Sequence, residues 1–117
     1  MIVIGAGAGG LVTAAGSKAV GAKVAIIERA FLGGDCLIAG CVPSKAFIAA
    51  ANVCHSINTS SEFGINLTSK PQVDFAKLME RMRRIRSQIA ENDSVERFHK
   101  FIGVDVYLGQ ANFVSQN

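Results

Sequence analysis

The stretch Gly5-Ala6-Gly7-Ala8-Gly9-Gly10 constrains this chain more than any other. Gly5, Gly7 and Gly10 form a G-x-G-x-x-G pattern directly after Ile2-Val3-Ile4, a β-branched run that reads as a strand. Ala8 to Val20 is small and apolar with no proline and reads as a helix, with Gly21 where a C-cap glycine belongs. Lys23-Val24-Ala25-Ile26-Ile27-Glu28 is a second strand that ends on an acid. The result is a strand–turn–helix–strand unit, hence an α/β fold with a parallel sheet. In such a unit Gly5 permits the tight turn, Gly7 lets the backbone approach a pyrophosphate, and Gly10 lets helix and strand pack closely. The helix N-terminus offers free N–H groups and partial positive charge to the phosphates. Glu28, 23 residues after Gly5, is placed to accept from a ribose 2′-hydroxyl and to repel a 2′-phosphate. The alternative is an ordinary small-residue turn with Glu28 as a solvated strand end.

Composition narrows the class. The chain has 117 residues, 50% apolar and 18% charged, which suits one globular domain. A net charge of +3 gives no polybasic tail. Nine of the 12 glycines fall in the first 40 residues, so the glycine chemistry is concentrated there. The three cysteines are an odd number beside a core rich in Ile, Val and Ala, which argues against a disulfide-stapled secreted fold. Met1 to Ser17 lacks a basic n-region, and its glycines interrupt any apolar run. It is also too short to span a bilayer. The expectation is a cytoplasmic chain with no membrane partner.

Further along, Arg29 to about Gly40 reads as a glycine-containing loop. Pro43 suits the first turn of an alanine-rich helix running from about Pro43 to His55 or slightly beyond. Residues 56–73 read as a connection with room for a short strand. Phe75, Leu78, Met79, Met82, Ile85 and Ile89 define one apolar face of a helix from about Asp74 to Lys100, with a break at Asn92-Asp93-Ser94. Gly103 ends it, and Val104 to Leu108 reads as a third strand.

Cys36-Leu37-Ile38-Ala39-Gly40-Cys41 places two thiols five residues apart, just before Val42-Pro43-Ser44-Lys45. A helix N-terminus favours a thiolate over a thiol. Lys45 follows Cys41 by one helical turn and can bring positive charge to that thiolate or to an electron-rich ring. Gly40 gives the backbone freedom to bring the sulfurs together, since a disulfide needs Cα atoms within about 7 Å. The physical reading is a redox pair. Half a zinc site lacks a second ligand pair at the required spacing, and two packed free thiols are the plain alternative.

Gly33-Gly34-Asp35-Cys36-Leu37 with Gly40-Cys41-Val42-Pro43-Ser44-Lys45, some 30 residues after the glycine turn, resembles the flavin-dependent pyridine nucleotide–disulfide oxidoreductases. That family includes glutathione reductase, dihydrolipoamide dehydrogenase and mercuric reductase. Aspartate before the first cysteine, and the segments Asn92 to Val95 and Gly103 to Val106, are most similar to mercuric-reductase-like members. The resemblance covers essentially the whole chain. It implies a partial Rossmann-like FAD-binding domain, a three-stranded parallel sheet with helices, incomplete at 117 residues.

The resemblance further implies that Gly5, Gly7 and Gly10 hold the FAD pyrophosphate and Glu28 its adenosine ribose. Gly33 and Gly34 would let the chain pass close to the cofactor. Cys41 would be the charge-transfer thiolate, Cys36 the interchange thiol, and Lys45 a neighbour of the flavin's reactive edge. Electrons would pass from NADPH or NADH through FAD to a Cys36–Cys41 disulfide, and on to a disulfide or metal-ion substrate. The implied enzyme is an NAD(P)H:disulfide or mercuric-ion oxidoreductase of group EC 1.8 or 1.16, a homodimer when full-length. Its nicotinamide and dimerisation domains would lie outside residues 1–117, which alone would be inactive. A non-catalytic dinucleotide-binding module or an inactive fragment is the alternative. The family usually has asparagine where Ile38 stands.

Cys54, His55 and His99 read as packing or surface residues. Arg81, Arg83, Arg84 and Arg86 read as a solvated helix face, without the aromatic interleaving of a nucleic-acid surface. No metal-ligand set is expected. The first two strands are apolar at every position, as in strands covered on both faces. With same-direction crossovers their helices lie on one face only. The other face and the outer edge of the first strand are then expected to be bare, so the chain reads as the N-terminal fragment of a longer flavoprotein.

Overall fold

The computed structural model describes residues 1–115. Strand β1 (Ile2–Ile4) leads through the glycine turn into helix α1 (Ala8–Ala19), and strand β2 (Ala25–Glu28) follows. A short helix α2 (Gly34–Ile38) precedes the long α3 (Cys41–Asn58). Helix α4 (Phe75–Ala90), a 3-10 turn (Glu91–Asp93) and a π-helical turn (Arg97–Ile102) lead to strand β3 (Asp105–Leu108). The strands form one parallel sheet in the order β1-β2-β3, with Val3 opposite Ile26 and Ile26 opposite Val106.

The core lies on one face of this sheet. Val3, Ile26 and Val104 pack with Leu11 and Ala14 of α1 and with Phe98 of the π-helical turn. Ile26 and Val104 are fully buried. The opposite face is open: Ile2 is 69% exposed and Ile4 58%, although both are as apolar as Val3 between them. The expected bare face is therefore present, and β1 is an edge strand.

Helices α3 and α4 pack chiefly on each other and on α2, not on the sheet, which draws the molecule out to 69 × 27 × 25 Å. The apolar stripe of α4 faces α3, with Met82 buried and Phe75 stacked on Phe47 at a centroid distance of 6.4 Å. Asp74 caps α4 by accepting from the Lys77 N–H at 3.1 Å, a bond of the kind that contributes about 1 kcal/mol.

Three local expectations need correction. The loop before Gly40 contains α2, because Gly33 and Gly34 turn the chain into a helix on which Leu37 is buried. Helix α3 begins at Cys41, two residues before Pro43; proline is tolerated there because the first four N–H groups of a helix have no internal partner. Residues 56–73 hold the end of α3 and a 3-10 turn at Ser60–Phe63 in place of a strand. The break expected at Asn92-Asp93-Ser94 is present: the 3-10 turn Glu91–Asp93 follows α4, and Ser94 adopts extended geometry and accepts from the Arg97 N–H to start the next turn.

The apolar run Gly34–Asn58 has the length and composition to cross a membrane. Gly40, with φ −105° and ψ −107°, interrupts helical geometry within it. Pro43 and Ala46 of α3 are buried within the protein.

Candidate functional site

The glycine turn is shaped by steric necessity. Gly5 has φ +98°, a conformation that side-chain-bearing residues avoid. A Cβ on Gly10 would lie 1.8 Å from the Gly5 carbonyl oxygen, so only glycine lets α1 pack this closely on the strand. At Gly5 and Gly7 a Cβ would meet open space. That space is a cavity of about 500 Å³ lined by Ile4, Gly5, Gly7, Glu28, Gly34 and Asp35, among others, within the size range of small-molecule sites. The start of α1 borders it through Gly7, its N-cap. A glycine cradle at a helix N-terminus, opening on a cavity of this size, fits a dinucleotide's phosphates.

Glu28 braces the turn. Its two carboxylate oxygens accept from the Ala6 and Ala30 N–H groups, each at 2.7 Å. The Ala6 bond, then the Ala30 bond, holds its carboxyl below the ordinary carboxylate range. The Ala6 N–H is thereby taken by protein, which leaves the donors at the start of α1 for an anion. Each Glu28 oxygen keeps a further lone pair for another donor.

The second glycine pair joins the turn to the cysteines. The Gly33 N–H donates to the Ala6 carbonyl at 2.8 Å, and Gly7 and Gly33 pair as an isolated parallel bridge. A Cβ on Gly34 would lie 2.8 Å from the Gly7 Cα. The close approach that Gly33 and Gly34 permit is therefore to the glycine turn itself. Gly33 also lies under Leu37 and Asp93: a Cβ there would stand 2.9 Å from the Asp93 Oδ2.

Cys36 sits on α2 and Cys41 opens α3. The Asp35 carbonyl closes the loop between them by accepting from the Ala39 N–H at 3.0 Å and the Gly40 N–H at 2.6 Å. Both cysteines are free thiols. The expected Cys36–Cys41 disulfide is not formed in this structure. The adjacent Cys41 thiol, followed by desolvation, pushes the Cys36 thiol up, while the Cys41 N–H and the Lys45 charge act in the opposite sense.

The expected residues divide among adjoining concavities. Gly5, Gly7, Glu28 and Gly34 share the large cavity, and Gly10 supports it from beneath. Gly33 and Cys36 line a smaller cavity of about 200 Å³ with Asp93 and Ile89. Cys41 and Lys45 line a third, of about 280 Å³ between α3 and α4, with Arg81 and Ile85.

Two residues at this site escaped sequence reasoning. Asp93 is half-buried beside Gly33, and burial raises its carboxyl above the ordinary range against the pull of Arg97. Arg86 donates from Nη1 to the Ile38 carbonyl at 3.2 Å. Neither has a spacing relation to the cysteine motif that a sequence pattern could detect. The remaining expectations stand differently. Cys54 is half-buried and unpaired with another cysteine, and the His99 Nδ1 lies 3.4 Å from the Val104 carbonyl. Among the described residues, no group of three or more His, Cys, Asp or Glu gathers in a metal-binding arrangement.

The model of the pyridine nucleotide-disulphide oxidoreductase family matches residues 1–117. Among curated relatives, the dihydrolipoyl dehydrogenase of Acholeplasma laidlawii is 35% identical over 117 residues, covering 100% of this chain and 34% of that protein. That of Geobacillus stearothermophilus is 38% identical over 116 residues, covering 99% of this chain and 24% of that protein. The fold matches an HOCl-induced flavoprotein disulfide reductase of Escherichia coli, solved as a Cu(II) complex, with a TM-score of 0.68 at 23% identity over 97% of this chain and 22% of that one. The family uses FAD and NAD(P)H. The chain spans between about a quarter and a third of the length of these curated relatives. It belongs to the pyridine nucleotide-disulphide oxidoreductase family.

Proposed function

We propose that this chain supplies the FAD cradle and the redox-active dithiol of a flavoprotein disulfide reductase. The observation that carries the reading is the backbone pairing of Gly33 with Ala6 and Gly7. It ties the start of the cysteine loop to the phosphate-binding turn, so a dinucleotide in the large cavity lies beside the cysteine loop. Bound FAD supplies hydride acceptance from NADPH or NADH and two-electron delivery to the disulfide.

The chain's own residues do the rest. Gly5, Gly7 and the N-terminus of α1 bind the pyrophosphate, and Gly10 keeps that helix close enough to do so. Glu28 accepts from the adenosine ribose while it continues to brace Ala6. Gly33 and Gly34 set the cysteine loop against the turn. Cys41 and Cys36 hold the exchanging electrons. Cys36 is the interchange thiol that meets substrate, and Cys41 is the thiol nearer the flavin, with Lys45 one turn away to stabilise negative charge on it.

The substrate is a small disulfide or a thiophilic metal ion such as mercuric ion, the latter on the likeness of the Asp35-Cys36 and Asn92 to Val95 segments to mercuric-reductase-like members. A reducing cytoplasm suits a pair that must cycle through the dithiol. In this proposal residues 1–117 are the N-terminal part of the FAD-binding domain of a homodimer. The nicotinamide and dimerisation domains come from chain beyond it, in keeping with the length of the relatives.

The test uses the intact protein. It should release flavin on denaturation, and anaerobic reduction by a dithiol should raise a long-wavelength absorption band. Cys41→Ser should abolish the band and keep the flavin. A protein without flavin, or a band that survives Cys41→Ser, overturns the reading.

A further inference from the structure

The peptide between the two cysteines is held by a residue 48 positions away. The Ile38 carbonyl lies at the C-terminal end of α2, where helix carbonyls have no partner of their own. The Arg86 Nη1 donates to it at 3.2 Å. Of the four arginines on this part of α4, Arg81, Arg83 and Arg84 are exposed, and Arg86 alone is half-buried. At the other side of the loop, the Asp35 carbonyl already accepts from Ala39 and Gly40. The Arg86 bond thus fixes the segment from the outside, from a helix that also packs against α3 and so against the element that begins with Cys41. The Ile38 side chain lines the large cavity and offers no hydrogen bond to the loop.

We infer that Arg86 is a positioning residue for the Cys36–Cys41 couple. By holding the Ile38 carbonyl it pre-orders the loop, and pre-ordering favours closure of the dithiol to the disulfide. The inference rests on reading the two cysteines as a redox couple. Closing a disulfide demands a narrow geometry. A loop freed of its clamp must give up more conformational freedom to reach it, which lowers the effective concentration of one sulfur at the other.

The experiment equilibrates the intact protein anaerobically in glutathione buffers of rising oxidised-to-reduced ratio. Oxidised glutathione takes two electrons and the two thiol protons from Cys36 and Cys41. One S–S bond forms in the protein and two reduced glutathiones are released. Alkylation and mass spectrometry of the Cys36–Cys41 peptide give the equilibrium constant. Arg86→Met keeps the aliphatic stem and removes the donor. It should lower the constant about three- to tenfold, the range expected for one lost hydrogen bond, while Arg84→Met on the exposed face leaves it unchanged. Arg86→Gln falls short of the carbonyl, carries the same expectation and serves where Arg86→Met does not fold. A constant within twofold of wild type, or an equal shift from Arg84→Met, overturns the clamp and leaves the redox reading standing. A wild-type protein that forms no Cys36–Cys41 disulfide at any ratio overturns both.

Discussion

The glycine turn and the cysteine loop touch, yet they are built differently. The turn at residues 5–10 is made by its own backbone: Gly5 takes a positive φ, Gly10 sits against the Gly5 carbonyl, and the one side chain that braces it, Glu28, ends the neighbouring strand. The cysteine loop at residues 33–41 borrows its geometry. It is pinned to the turn through Gly33, packed under Asp93, and held by Arg86 from a helix remote in sequence. A phosphate-binding turn needs fixed N–H groups in one orientation, and a local backbone motif provides them. On the proposed reading the thiol pair changes its bonding during turnover, and its loop is held by backbone bonds at Gly33 and Asp35 together with a remote side chain, Arg86.

If the turn is rigid through backbone packing, a single methyl at Gly10 should do the most damage. The clash at 1.8 Å is with backbone, which no rotamer change relieves. Gly10→Ala should therefore cost about 4 kcal/mol or more, at the extreme of single substitutions, and should release bound flavin. Denaturant midpoints and flavin content measure both. The junction of the two regions comes next. Gly34→Ala adds a Cβ 2.8 Å from the Gly7 Cα at a φ of +54°, and should cost about 1–3 kcal/mol. Its effect should be seen in the turn as well as in the loop, as weaker flavin retention together with altered thiol reactivity. A variant that changes only the thiols would show that the two regions are not joined through Gly34. Gly9→Ala sharpens the contrast. Gly9 lies in α1, beside Gly10, but its added Cβ meets nothing within 4 Å. Alanine there should stabilise the protein by up to about 1 kcal/mol through helix propensity.

The same contrast explains what the sequence disclosed. The strand–turn–helix–strand unit was readable because each cue is local: β-branched residues before Gly5, an acid at Glu28, small residues between. The bare sheet face followed from Ile2 and Ile4 being as apolar as Val3. Helix α2 was missed because its five residues are too few to show a period, and it exists through the turn made by Gly33 and Gly34. In sequence the arginine cluster reads as one solvated face. Arg81, Arg83 and Arg84 conform to that, but Arg86 reaches the cysteine loop through the packing of α4 on α2, a contact that no local pattern encodes. Asp93 reads in sequence only as part of a helix break, because its approach to Gly33 is likewise a product of the tertiary fold.

The mildest test concerns Glu28, the one side chain on which the turn relies. Its carboxyl is held below the ordinary range, first by the Ala6 N–H and then by the Ala30 N–H. The native state therefore binds a proton at Glu28 less readily than the unfolded chain does. The stabilisation is fully present above the unfolded value of about 4.3, and is lost as pH falls through the depressed folded value. Glu28→Gln cannot titrate. Its stability should decline less steeply than that of the wild type as pH is lowered through and below about 4.3, with the two profiles parallel above about pH 6. Glu96, whose carboxyl is also lowered by its contact with Lys100, contributes equally to both proteins and cancels in the difference. Unfolding midpoints measured across this window decide the matter: profiles that stay parallel down to pH 3 would show that the turn keeps its shape without the carboxylate, and that its order resides in the glycines alone.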